Sequence, residues 1–398
     1  MKTYVHRHLI FRCFSLLLLV ACSRESIEIT DQTISNEWLV SYELTGSFTA
    51  SQLQQTAAPF STMYPVIAGF SYRDVKAYKL VYTTTDVVGT PISASGLVLI
   101  PQQDTPFPIV SFQHGTETDK EKAPSNAVLN QDTLLGLLVS GSGYVMLFPD
   151  YLGYGASKAY PHPYEHAATL GKTCYDMLMG AKEMFQELEV QTSEKLFLAG
   201  YSEGGYATMA MHKYLDAHSN IPVTMSAPGA GAYHKTAFAQ AILEKDETLE
   251  FLPNYMWVLE TYNWVYGVDR PWSATVNEPY ATTLENIIDP GDYLTSGISK
   301  NPSVLFQASF RDAFLAGTDA LCAPVADNDI HDWLPKGPIT LYHGEEDDYV
   351  FPLNSQSAYE AMKARGASVS LVTFPGENHA TAILPYLNAV VPLFESLK

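Results

Sequence analysis

Positive charge is scarce in this chain of 398 residues: 23 Lys and Arg stand against 43 Asp and Glu, a net charge of −20. A surface without a basic excess cannot neutralise a phosphate backbone, which excludes a nucleic-acid-binding role and leaves an acidic, soluble surface. Cysteine is equally sparse, with four residues in all, too few for a disulfide-stapled scaffold. No internal repeat or low-complexity tract is evident, and no apolar run reaches the roughly 20 residues that a bilayer-spanning helix takes. Hydrophobic types nevertheless make up 46% of the chain, enough for a large core.

What is present begins with an address. Lys2, Arg7 and Arg12 precede the short apolar stretch from Phe14 to Ala21, the pattern of a signal peptide. It ends Leu19-Val20-Ala21-Cys22, which resembles the lipobox of bacterial lipoproteins. That resemblance implies a cut before Cys22 and a lipid on its sulfur, hence an exported protein anchored to a membrane. Ordinary secretory cleavage near the same small residues is the alternative, giving a secreted or periplasmic chain. Removing three basic residues and no acidic ones takes the net charge from −20 to −23. Residues 23–36 read as a polar tether. Cys174 and Cys322 then remain, either as one disulfide or as two separate buried thiols.

From residue 37 to 398 the pattern is that of one domain. Tyr78–Thr85 and Ser93–Ile100 are β-rich runs around a turn, a predicted hairpin. Apolar runs follow at Pro108–Phe112, Tyr144–Phe148, Lys195–Ala199, Val223–Ala227, Ile339–Tyr342 and Val369–Phe374. Helical spacing fills most gaps, over about 125–140, 164–188, 204–218, 354–364 and 378–396. Short continuous apolar strands separated by helices predict an α/β fold with a mostly parallel central sheet, flanked on both faces. One gap is far longer. About 230–335 reads as an inserted helical cap, and seven of its residues between Phe251 and Trp272 are aromatic.

The chemistry is concentrated in three loops. Gly200-Tyr201-Ser202-Glu203-Gly204 places a serine between two glycines, after a strand and before a helix: a nucleophile elbow. A serine hydroxyl is a weak nucleophile until a histidine takes its proton and a carboxylate orients that histidine. His343-Gly-Glu-Glu-Asp-Asp-Tyr-Val350 and Phe374-Pro-Gly-Glu-Asn-His379 both follow strands, where parallel sheets place their sites.

With these motifs the chain resembles the α/β-hydrolases, over roughly residues 77–397. The family's Gly-x-x-Asp-x-x-Val motif is met by Gly344, Asp347 and Val350, which implies Asp347 as the orienting acid. Phe351 stands before Pro352 where the family has proline directly, so the neighbouring Asp348 stays in contention. The late histidine matches His379. The family's His-Gly-x loop corresponds to His114-Gly115-Thr116, which implies an oxyanion hole from the amides of Thr116 and Glu203, with Gly115 as the nearest substitute. His114 itself reads as a structural loop residue. Pro149-Asp150-Tyr151-Leu152-Gly153-Tyr154-Gly155 and the long cap are similar to secreted bacterial esterases and fungal secretory lipases. Within that resemblance Asp150 is either a turn residue or a substrate contact.

The implied activity is carboxylic-ester hydrolysis through an acyl-serine, on a small-molecule, lipid or carbohydrate ester, with no cofactor. An acetyl or feruloyl esterase acting on polysaccharide is the alternative, and a binding protein on a hydrolase scaffold is the non-enzyme reading. No metal is expected from the two patterns that suggest one. His162-Pro-Tyr-Glu-His166 has the spacing of a zinc motif, but two prolines keep its histidines off a common helical face. Glu345, Glu346, Asp347 and Asp348 lack the alternating ligands and central glycine of a calcium loop. His331 and His343 read as non-catalytic.

Overall fold

The computed structural model describes residues 36–398, apart from Asp104, Asn130 and residues 287–296. The expected signal peptide, Cys22 and all of the expected tether but Asn36 lie outside the described residues. Nine strands form one sheet: β1 (Leu39–Phe48), β2 (Val75–Thr85), β3 (Pro91–Pro101), β4 (Phe107–Gln113), β5 (Val145–Pro149), β6 (Thr192–Tyr201), β7 (Met225–Gly229), β8 (Ile339–Gly344) and β9 (Val369–Phe374). Their order is β1-β2-β3-β5-β4-β6-β7-β8-β9. The pairs among β1, β2, β3 and β5 are antiparallel, and every pair from β5 through β9 is parallel.

Strand periodicity divides the core. Successive side chains point to opposite faces, so Val145, Leu147, Leu196 and Leu198 pack on one side with the helices Ala167–Glu187 and Glu203–His218. Met146, Phe148, Phe197 and Ala199 pack on the other, toward Gln131–Gly141 and Ile383–Leu397. All five residues of β5 are buried, as a strand covered on both faces requires.

Between β2 and β3, Asp86 Oδ1 accepts from the amides of Val88 (3.0 Å) and Thr90 (2.8 Å), and Gly89 supplies a φ of 88° for the reversal. The region before β2, which has no strong sequence periodicity, contains an edge strand and a short helix. β1 is largely exposed, and its start is held from a distance: Glu183 Oε2 accepts from the amides of Trp38 (3.0 Å) and Leu39 (2.6 Å). Thr49 and Gln52 form a reciprocal capping box that starts the helix Ala50–Ala57.

From β7 to β8 the chain leaves the sheet and forms short helices, among them Lys235–Leu243, Leu252–Val265 and Ala308–Leu315. These share a core of their own, with Phe238, Leu252, Trp257, Tyr262, Phe306 and Phe310 all buried. Cys174 and Cys322 are both free thiols; the first is buried and the second half-buried. Among the described residues no helix is long and apolar enough to cross a membrane.

Candidate active site

The end of β6 turns into the helix Glu203–His218 through a single residue, Ser202, at φ 61° and ψ −124°. A non-glycine residue at such a φ costs about 1–3 kcal/mol and persists only where its surroundings enforce it. Here they do. The Ser202 amide donates to Gly229 O at 2.9 Å, and Ser202 O accepts from Tyr206 N at 3.0 Å. A Cβ on Gly200 would stand 2.6 Å from Gln113 O, and one on Gly204 would stand 2.8 Å from His114 O. Backbone on both sides leaves room only for glycine. Below the turn, the buried Tyr386 hydroxyl accepts from Gly200 N at 2.9 Å and faces Ala227 O at 2.8 Å, tying the last helix to β6 and β7.

Ser202 Oγ lies 2.9 Å from His379 Nε2, and His379 Nδ1 lies 2.7 Å from Asp347 Oδ2. Thus β6, β8 and β9 each place one of the three groups at the same end of the sheet. The loops after β8 and β9 interlock, since the Glu346 amide donates to Glu377 O at 3.0 Å. Tyr349 stacks on the imidazole at 5.2 Å, and the Tyr201 hydroxyl holds the backbone of the same residue, donating to His379 O at 2.8 Å.

The two aspartates in contention have different surroundings. Asp347 is buried and Asp348 exposed. Asp347 Oδ1 accepts from the amides of Tyr349 (2.9 Å) and Val350 (2.8 Å), while Oδ2 meets both His379 and His343 Nε2, the latter at 3.2 Å. Burial alone would raise this carboxyl, but hydrogen bonds from His343 and His379 outweigh it and hold the pKa at about 2. Glu345 and Glu346 are exposed, and Glu345 accepts from Thr373 Oγ1 at 2.7 Å.

His343 is the contact that sequence reasoning missed. Its Nε2 faces two acceptors, Asp347 Oδ2 and Val350 O (2.7 Å), so the proton sits there, and Nδ1 takes the Ser355 hydroxyl at 2.6 Å. The one available signal was its position four residues before Asp347, across a tight loop.

The other loop residues fall into place around the serine. A Cβ on Gly115 would lie 4.0 Å from Ser202 Cβ, so the loop after β4 passes directly beside Ser202. Thr116 lines the cavity that opens over Ser202, with Oγ1 2.8 Å from the Tyr164 hydroxyl. Glu203 opens its helix, so its amide has no intrahelical partner, while its carboxylate turns to His162, 2.8 Å away. His114 is occupied by Gly115 O (2.7 Å) and stacks on Tyr151. Asp150 is fully buried, accepting from Ser95 Oγ at 2.6 Å and Ser125 N at 2.8 Å, and does not line the cavity. The side chains of the zinc-like spacing diverge: His162 turns to Glu203, Glu165 to Lys235, and His166 to Thr169.

A cavity of about 380 Å³ opens over Ser202 and His379. Two aromatics of the 251–272 run, Phe251 and Tyr255, line it together with Asn254, whereas Trp257 and Tyr262 are buried in the core of the insertion. Polar groups reach the cavity too, notably Tyr164 and Glu165.

Comparison with known proteins agrees with this architecture. A sequence model of the prolyl oligopeptidase family matches residues 323–385, the stretch that holds Asp347 and His379. A putative hydrolase from Legionella pneumophila superposes with a TM-score of 0.80 at 26% identity, covering 91% of this chain and 98% of that one. The rice cell wall degrading esterase LipA from Xanthomonas oryzae gives 0.76 at 23% identity, covering 90% and 97%. Candida antarctica lipase A in its closed state gives 0.64 at 16% identity, covering 92% and 83%. No curated protein sequence matches. The sheet order, the elbow and these likenesses together establish that the chain has the α/β-hydrolase fold.

Proposed function

We propose that this protein is a serine hydrolase that cleaves carboxylic esters through an acyl-serine intermediate. The observation that carries the reading is the hydrogen-bonded chain Ser202 Oγ–His379–Asp347 opening onto a cavity lined by Thr116. In the first half-reaction Ser202 Oγ attacks the ester carbonyl while His379 Nε2 takes its proton. The Asp347 carboxylate holds the imidazole by Nδ1 and stabilises the imidazolium that forms. The amides of Thr116 and Glu203 receive the oxyanion. His379 then returns its proton to the leaving alkoxide and an alcohol departs. Water repeats the cycle on the acyl-serine, releasing the acid and restoring the serine.

Ser202→Ala tests this: p-nitrophenyl ester turnover and fluorophosphonate labelling disappear while the melting temperature stays near that of the parent. Undiminished turnover in the folded variant refutes the assignment. A parent chain that resists the fluorophosphonate would instead be a binding scaffold.

A polysaccharide ester is the second reading, favoured by the hydrogen-bonding groups of Tyr164, Glu165 and Asn254 in the cavity and by the name of the Xanthomonas esterase. Rates on acyl esters of rising chain length, beside acetylated xylan and feruloyl esters, separate the two. We further propose export and lipid anchoring through Cys22; incorporation of labelled palmitate, lost in Cys22→Ala, is the expected result.

A further inference from the structure

Away from the catalytic groups, the root of the insertion gathers a second set of chemically capable side chains. His234 follows β7, and Asp329 and His331 precede β8, so the three stand where the insertion leaves and rejoins the sheet. The two chain ends run side by side, with Ile330 N donating to Tyr233 O at 2.9 Å. Metal-ligating atoms of His234, Asp329 and His331, all half-buried, lie within 4.8 Å of one another.

Two observations point to a ligand. Nδ1 of His234 and Nδ1 of His331 are both buried without a hydrogen-bond partner. A buried unpaired nitrogen is destabilising, and with the two rings only 3.7 Å apart one shared ion would accept the lone pairs of both imidazoles. The carboxylate is also already oriented. Asp329 Oδ1 accepts from Thr236 N at 3.0 Å and Oδ2 from Thr236 Oγ1 at 2.7 Å, the kind of outer contact that aims a metal-binding carboxylate.

We propose that His234, Asp329 and His331 bind a divalent transition-metal ion of the zinc class, with water completing a four-coordinate site. Two imidazoles and one carboxylate suit zinc, and hard cations such as calcium or magnesium prefer oxygen alone. The rings stack at 3.7 Å with 13° between their planes, so their in-plane lone pairs do not yet converge. Binding therefore turns one ring about χ2, a broad torsion, and draws the ligand atoms to about 3.4 Å apart, the edge of a tetrahedron with bonds near 2.1 Å. A metal takes the lone pair of a neutral imidazole, while the other ring nitrogen keeps its proton. The ion would join residues on either side of the whole insertion and fix its root. The site owes nothing to the ester-hydrolase reading and stands or falls apart from it.

Titration calorimetry of the full chain, stripped with chelator and then given zinc chloride, is the test. One zinc per chain is expected, with a Kd on the order of micromolar or tighter, and a higher melting temperature with zinc present. His234→Ala and His331→Gln, the latter keeping size and polarity, are expected to weaken binding by more than about 30-fold and to erase the thermal shift. His379→Ala separates this site from zinc on the catalytic imidazole and should keep the stoichiometry at one. Absence of a one-to-one site in the parent chain overturns the proposal, and so does undiminished binding in both His234→Ala and His331→Gln.

Discussion

Replacing Asp347 by Asn resolves the two adjacent aspartates in one experiment. Asn is isosteric, and its Oδ1 continues to accept from the amides of Tyr349 and Val350. Where Oδ2 stood, however, Nδ2 now offers hydrogens to His379 Nδ1 and His343 Nε2. Two donors cannot share a bond, so His379 adopts the tautomer that points a proton at Ser202, and the serine loses its base. The kcat is expected to fall by roughly 10⁴-fold with little change in KM. Stability falls as well. The carboxyl is held at about 2 against an ordinary 3.8, a depression worth about 2 kcal/mol in favour of the fold. Losing one acceptor for the buried His343 adds about 1 kcal/mol. For a chain of this size each kcal/mol moves Tm by about 1–2 °C, so a drop of about 4 °C is expected. Asp348→Asn, at an exposed position, should stay within about 0.5 kcal/mol of the parent and keep its turnover. Initial rates on p-nitrophenyl acetate and calorimetric melts of both variants decide the matter. If Asp347→Asn kept more than about a tenth of the parent kcat while Asp348→Asn lost more, the reasoning would be refuted.

Further outcomes follow from other contacts. Gly204→Ala places a Cβ 2.8 Å from His114 O with backbone on both sides; a loss of more than about 3 kcal/mol in chemical denaturation is expected, with poor soluble yield. Tyr386→Phe leaves the buried Gly200 amide without its acceptor and should cost about 1–3 kcal/mol by urea melts. Burial holds His166 at about 4 and His212 at about 3, both below the ordinary 6.5. The unfolded chain then binds more protons between those values and 6.5, so stability falls as pH drops through that window. Urea midpoints from pH 7 to 4 should decline, with a shallower slope in His166→Gln.

The buried strands were legible because each is an uninterrupted apolar run ended by a turn. β5, covered on both faces, is the plainest case, and the serine elbow was legible because its glycines are forced by backbone contact. β1 was not legible. Half-exposed Val40 and Leu44 blur its alternation, and what holds it is Glu183, some 145 residues away along the chain. His162 and Tyr386 were unreadable as supporting groups for the same reason, since their partners Glu203 and Gly200 lie 41 and 186 residues away, whereas the partners of His343 are close in sequence and only the loop geometry turns its ring onto Asp347. The choice between Asp347 and Asp348 rested on motif register in the sequence, whereas in the folded chain one carboxylate is enclosed by four donors and the other faces solvent.

The adjacency of Tyr233 and Ile330 has an evolutionary meaning. An insertion whose two ends are hydrogen-bonded neighbours occupies almost no width in the host sheet. It can be lengthened, shortened or exchanged between lineages without disturbing the strands on either side. Ser202, Asp347 and His379 all belong to the host, whereas Phe251, Asn254 and Tyr255 belong to the guest. Recombination at these two points would therefore replace the inserted part of the cavity lining while leaving Ser202, Asp347 and His379 where they are.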